Sequence, residues 1–127
     1  RAASMRFLAK TDPDNAVEWL EKAVLEAPGR REPLFDLAKY YYDKGDWRNC
    51  FESANRCLAI IEKPLEYLND QDAWNWNPWH LLAISAYYIG EYKIAFEAGT
   101  TALEMDREND ILRSNLNDWY YPAYNRV

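Results

Sequence analysis

Few residues in this chain have the types and spacing that chemistry requires. Asp12-Pro-Asp14 is an acidic pair of the kind that holds a metal ion and, through it, phosphate oxygens. It stands just ahead of an amphipathic stretch, and no Gly-rich phosphate loop accompanies it. Capping of the following helix by Asp12 or Thr11, with Pro13 tolerated in the first turn, is therefore the reading adopted. His80 is the sole histidine and has no Cys or His partner at metal-ligand spacing, and neither Ser nor Cys sits in a nucleophile context. No catalytic residue, metal site or cofactor is expected. Trp74, Trp76 and Trp79 fall within six residues, among Asn and Asp. Such rings can stack on sugars while the amides and carboxylates bind hydroxyls, or they can cover apolar surface at a joint. Trp74 and Trp76 are the carbohydrate-stacking candidates. Cys50 and Cys57 lie seven apart on a helical pattern, roughly 10.5 Å along the axis. A disulfide needs Cα atoms about 4.4–6.8 Å apart, so both are expected to be free and buried.

The elements that position these residues must come from a chain of 127 residues, 49% hydrophobic and 28% charged, enough for one folded domain. Six Trp, ten Tyr and four Phe are a large aromatic endowment that argues against disorder. With 21 acidic and 15 basic residues the net charge is −6, which opposes nucleic-acid binding. A mean hydropathy of −0.60 and the lack of a long apolar run argue against membrane insertion. The opening RAASMRFLAK has no export signal and no initiator Met, so a cytoplasmic fragment of something longer is expected. Glu18, Glu21 and Glu26 mark a solvated helical face.

Laid against itself, the chain repeats. Tyr42-Asp-Lys-Gly45-Asp-Trp47 echoes in Tyr88-Ile-Gly90-Glu-Tyr92, with Leu37-Ala38 and Leu82-Ala83 at matching distances ahead. After each Gly turn, small residues recur seven apart, Cys50 with Cys57 and Ala95 with Ala102, and Ala16 with Ala23 supply an upstream copy. Ala16 to Cys50 is 34 residues and Cys50 to Ala95 is 45. The first offset is a repeat period, and the second is that period with about 11 residues inserted. Small residues on one helix let a neighbour approach closely, Leu and aromatic residues fill the seam, and Pro28 and Pro64 stop helices.

This pattern resembles the tetratricopeptide repeat. It reads as Leu34-x2-Leu37-Ala38-x2-Tyr41 with Cys50, Ala54 and Cys57, then Trp79-x2-Leu82-Ala83-x2-Ala86 with Ala95, Gly99 and Ala102. The terminal Pro is present at Pro28, late at Pro64 and replaced by Arg107 in the last copy. The resemblance implies an all-α chain of helix-turn-helix repeats forming a short right-handed solenoid. Its parts would be a partial first repeat (1–30), a second repeat (31–64), a Trp-rich insertion (65–77), a third repeat (78–109), a closing helix (110–121) and a tail (122–127). Helices are expected over 13–27, 32–44, 47–62, 78–89 and 92–106. Phe7, Tyr41, Trp47, Trp79, Tyr92 and Trp119 are expected in the repeat seams and the closing helix. The concave groove of such stacks would fall on Phe35, Lys39, Tyr42, Asp43, His80, Ile84, Tyr87 and Tyr88, a surface suited to an extended peptide. The Lys, Asn and Arg set that clamps a chaperone's C-terminal carboxylate is not reproduced.

Arg31-Glu-Pro-Leu34, then Lys63-Pro64-x2-Tyr67, Ala73-Trp74, Pro78 and Leu112-x2-Asn115-Leu116 are more particular. Together they are similar to the helical-repeat region that follows the catalytic domain in some bacterial family 2 glycosyltransferases. That resemblance implies a non-catalytic scaffold or interaction module beside a sugar-transferring domain of the same chain. A free-standing adaptor that binds a peptide or protein, and a carbohydrate platform, are the alternatives.

Overall fold

The computed structural model describes residues 2–61 and 71–126, whose regular structure is all helical, with no strand among them. The helices are α1 (Ala2–Thr11), α2 (Ala16–Glu26), α3 (Glu32–Lys44), α4 (Trp47–Leu58), α5 (Asn77–Tyr88), α6 (Tyr92–Met105), α7 (Asp110–Asn115) and α8 (Tyr121–Asn125). A π-helical turn, Leu116–Tyr120, joins the last two, and short 3₁₀ turns occupy Pro13–Asn15 and Gln71–Ala73.

Local chemistry sets most of these boundaries. Pro33 and Pro78 lie in the first turns of α3 and α5, where a missing N–H costs nothing. Both α3 and α5 end on a glycine in the left-handed region, Gly45 at φ 70° and Gly90 at φ 87°. The same double hydrogen bond follows each: Gly45 N–H to Tyr42 C=O with Asp46 N–H to Tyr41 C=O, and Gly90 N–H to Tyr87 C=O with Glu91 N–H to Ala86 C=O. The Asp46 carboxylate then accepts from the Asn49 backbone N–H at the start of α4, and Asn109 does the same for Leu112 in α7.

Each helix packs chiefly on its neighbours in sequence, from α1 on α2 through α5 on α6, and α3 also touches α5 directly. The seams are built from small residues: Cys50, Ala54 and Cys57 on α4, and Ala95, Ala98 and Ala102 on α6, are all buried. Leu37, Leu81, Leu82 and Phe35 fill the spaces between them. An ion pair ties α1 to α3, with the Asp36 carboxylate accepting from Arg6 Nε at 2.5 Å and from its terminal nitrogen at 3.3 Å.

Several expectations need correcting. Residues 122–127 were expected as a tail, yet α8 runs to Asn125 because Tyr124 stacks on Phe96 of α6 at 4.9 Å and 4°. The expected helix over 47–62 ends at Leu58, with Ala59 closing it. Asp12 does not cap α2, because the 3₁₀ turn intervenes; its carboxylate instead accepts from Asn15 Nδ2 at 3.0 Å and Trp19 Nε1 at 3.3 Å. Phe7, expected in a seam, is 64% exposed, and Trp119 of the expected closing helix lies in the π turn and is 55% exposed. Lys63, Pro64, Tyr67 and the part of the expected insertion up to residue 70 lie outside the described residues.

Candidate functional site

The N-terminus of α3 holds Trp74. Arg31 is buried, and its guanidinium donates from Nε to Ile60 C=O at 2.7 Å and from a terminal nitrogen to Ala73 C=O at 3.3 Å. Its plane lies 4.1 Å from the centre of the Trp74 ring, a cation–π contact. Trp74 Nε1 in turn donates to the buried Glu32 carboxylate at 3.2 Å, and Arg30 Nε lies 3.5 Å from the other oxygen. One side chain thus fastens both described ends of the α4–α5 connection to α3. Trp74 is partly buried: one face of its ring lies against the Arg31 guanidinium and its indole N–H is committed to Glu32. Trp76 is half-buried and meets His80 edge-on at 6.0 Å.

From His80 the rings continue along one side of the molecule. Tyr42 lies 6.4 Å from His80 and 5.7 Å from Trp47, and Trp47 stacks on Tyr88 at 4.4 Å with only 13° between planes. Tyr88 meets Tyr87 edge-on, and Tyr87 reaches Tyr92, Trp119 and Tyr120 at 5.8, 6.2 and 5.9 Å. The row therefore runs from the start of α5, across the turn between α3 and α4, to the π-helical turn. The repeat offset explains it: Tyr42 and Tyr87 are 45 apart and occupy equivalent positions on α3 and α5.

The row ends in a cleft of about 320 Å³ lined by Ile84, Tyr87 and Tyr88 of α5, Asn115 at the end of α7, and Trp119 and Tyr120 of the π turn. Tyr120 anchors that wall. Its ring lies against Gly99 of α6, where any Cβ would stand 2.6 Å from its Cδ2. Burial, with the neighbouring hydroxyls of Tyr42, Tyr88 and Tyr87, pushes the Tyr120 hydroxyl well above the ordinary tyrosine range, so it stays protonated. Burial alone lowers the His80 pKa and keeps the imidazole neutral, and its Nδ1 has no hydrogen-bond partner among the described residues.

The eight groove residues read from the sequence separate into four places. Ile84, Tyr87 and Tyr88 line the cleft, while Tyr42 and His80 belong to the ring row. Lys39 and Asp43 line a smaller cleft of about 180 Å³ against α1 and α2. Phe35 is buried in the core beneath the Lys39 ammonium, which sits 4.6 Å above its ring, so it is not a groove residue. Asn115, Trp119, Tyr120 and Gly99 are not among the site residues expected from the sequence. Gly99 carried the one available signal, a glycine inside a helix where the pattern tolerates larger residues. Both cysteines are free and buried. Desolvation raises their thiols from the ordinary 9.0, to about 11 for Cys50 and about 12 for Cys57. Among the described residues no cluster of three metal-capable side chains occurs, and no helix is long and apolar enough to cross a membrane. No protein-family model matches the chain, and no curated protein matches it.

Proposed function

We propose that this chain is a non-catalytic, tetratricopeptide-like helical-repeat module that holds an extended segment of a protein partner along the face formed by α3, α5 and the π turn. The observation that carries this reading is the ring row ending in a lined cleft, with Tyr88 and Trp119 each more than half exposed. Aromatic side chains with few rotatable bonds bind with little loss of entropy, which is why they dominate recognition surfaces. The repeated small-residue seams and paired glycine turns support the repeat architecture.

In this proposal the partner is the catalytic domain of a family 2 glycosyltransferase carried on the same chain. Its support is the Arg31-Glu-Pro-Leu34 phrase, whose residues are all buried at one helix start, and the later Leu112-x2-Asn115-Leu116.

Selection from a random displayed library of twelve-residue peptides tests the binding half. Peptides enriched on the wild-type chain should lose at least about tenfold in affinity for a Tyr88→Ala, Trp119→Ala variant, and retained affinity would argue against this face. The reading frame encoding Arg1 tests the second half: an α/β nucleotide-sugar domain within it supports the link, and a frame without one defeats it.

A further inference from the structure

We infer that the exposed side of α1, around Phe7 and Leu8, is a second docking surface, and that it seats a helix of a protein partner built like α2, with an apolar, small-residue stripe beside an acidic residue. This surface lies apart from the ring row and does not depend on what binds there. Contacts inside the chain specify its occupant.

The repeat offsets align α1 with α3 and α5. The 34 residues that separate Ala16 from Cys50 also separate Phe7 from Tyr41, and the 45 that separate Cys50 from Ala95 separate Tyr41 from Ala86. In both later copies the preceding helix covers this side. On α3, Tyr41 packs against the core, and its neighbour Tyr40 shares a small cleft with Ala16 and Leu20 of α2. On α5, Ala86 is fully buried, and one turn earlier Cys50 of α4 donates to Leu81 C=O at 3.9 Å. Phe7 is 64% exposed and Leu8 36%. A lone exposed apolar residue needs no explanation; Phe7 differs because its position is covered in both other copies. The opposite end of the succession is closed, with Tyr120 against Gly99 of α6 and Tyr124 stacked on Phe96. A helix that ends a stack of repeats needs a polar outer side, and α1 presents Phe7 there.

Charge narrows the occupant further. Arg56 of α4 lies 3.7 Å from Glu21 of α2. The 34-residue offset sets Lys22 where Arg56 stands, and Lys22 is exposed, with its ammonium 4.8 Å from the centre of the Trp19 ring. A helix seated on α1 as α2 is seated on α3 brings its own counterpart of Glu21 to Lys22. The occupant therefore carries small or apolar side chains where α2 has Ala16 and Leu20, and a carboxylate where α2 has Glu21. A basic or wholly polar helix lacks both features.

The probe is the helix that covers the equivalent side of α3: an acetylated, amidated peptide of residues 13–27, locked helical by a hydrocarbon bridge on its polar face because isolated helices of this length are marginal in water. It is titrated into the isotope-labelled chain by NMR. It should shift the Phe7 ring and Leu8 methyl signals saturably and leave the Trp119 indole in place. Affinity should fall at least about tenfold in Phe7→Asp and be largely kept in Phe7→Leu, with circular dichroism confirming that both variants fold. Lys22→Glu should weaken binding roughly twofold to fivefold, as expected for one exposed pair, and a peptide carrying Glu21→Lys should restore it. No saturation below about 2 mM peptide, equal binding by Phe7→Asp, or equal binding of a scrambled peptide overturns the inference. Wild-type preference for the Glu21→Lys peptide overturns the acidic occupant. Concentration-dependent shifts of the Phe7 signals without peptide, abolished by Phe7→Asp, assign the surface to a second copy and overturn the partner helix.

Discussion

Arg31 ties the start of α3 to both described ends of the α4–α5 connection. It satisfies two backbone carbonyls, covers the Trp74 ring and lies beside Glu32 in a buried cluster. Arg31→Ala leaves those groups without their donor and should lower stability by about 3 kcal/mol, read as a shift in urea midpoint. Arg31→Lys should recover only part of that loss, because an ammonium cannot serve two carbonyls and a ring face together. Gly99→Ala drives a Cβ into the Tyr120 ring and should destabilise by roughly 1–3 kcal/mol while disturbing the cleft wall. The thiols give a pH signature. Their folded pKa values lie above the ordinary 9.0, at about 11 and about 12, so the neutral form is favoured in the fold. Their contribution to stability is complete below about pH 9 and is lost as pH rises toward those folded values. A Cys50→Ala, Cys57→Ala variant should show a shallower alkaline loss in denaturant titrations between pH 9 and 11, and an unchanged slope would refute this. At this scale Tyr87 and Tyr88 were legible from the repeat offset. Asn115 and Tyr120 were not, since their roles arise from where the last turn lands against α5 and α6.

Helix boundaries were the most legible feature of the elements. Proline, glycine and Asp at fixed offsets act through local backbone chemistry, and α3 begins and ends where those residues place it. Gly45→Ala and Gly90→Ala each force a side chain into the left-handed region at φ 70° and 87°, with no neighbour within 4 Å to clash. Each should therefore cost about 1 kcal/mol through backbone strain alone, and thermal unfolding of the two single variants checks the value. The π-helical turn and α8 escaped the sequence because residue spacing there is compatible with an ordinary helix followed by a tail. What distinguishes them are the contacts of Tyr120 with Gly99 and of Tyr124 with Phe96. The α4 overrun has a similar origin, since Ile60 and Ile61 continue an apolar pattern while the Ile60 carbonyl is turned to Arg31.

Across the molecule, the described residues form a helical succession in which each helix from α1 to α6 lies on the next, and equivalent residues of α3 and α5 carry aromatic rings into one row. The all-α class followed from the spacing of small residues and glycine turns. The division of the expected groove into two clefts and a ring row did not, because it depends on the side chains of α1 and the closing turn. The account's central claim is that this aromatic side is a binding face whose exposed rings contribute recognition more than stability. The direct measurement is the dissociation constant of one library-selected peptide, with thermal unfolding on the same samples, for wild type and Tyr88→Ala, Trp119→Ala. The prediction is an unfolding temperature lowered by no more than roughly 8 °C, about 1–2 kcal/mol for two exposed substitutions, with affinity weakened at least about tenfold. Unchanged affinity in a folded double variant would contradict the claim.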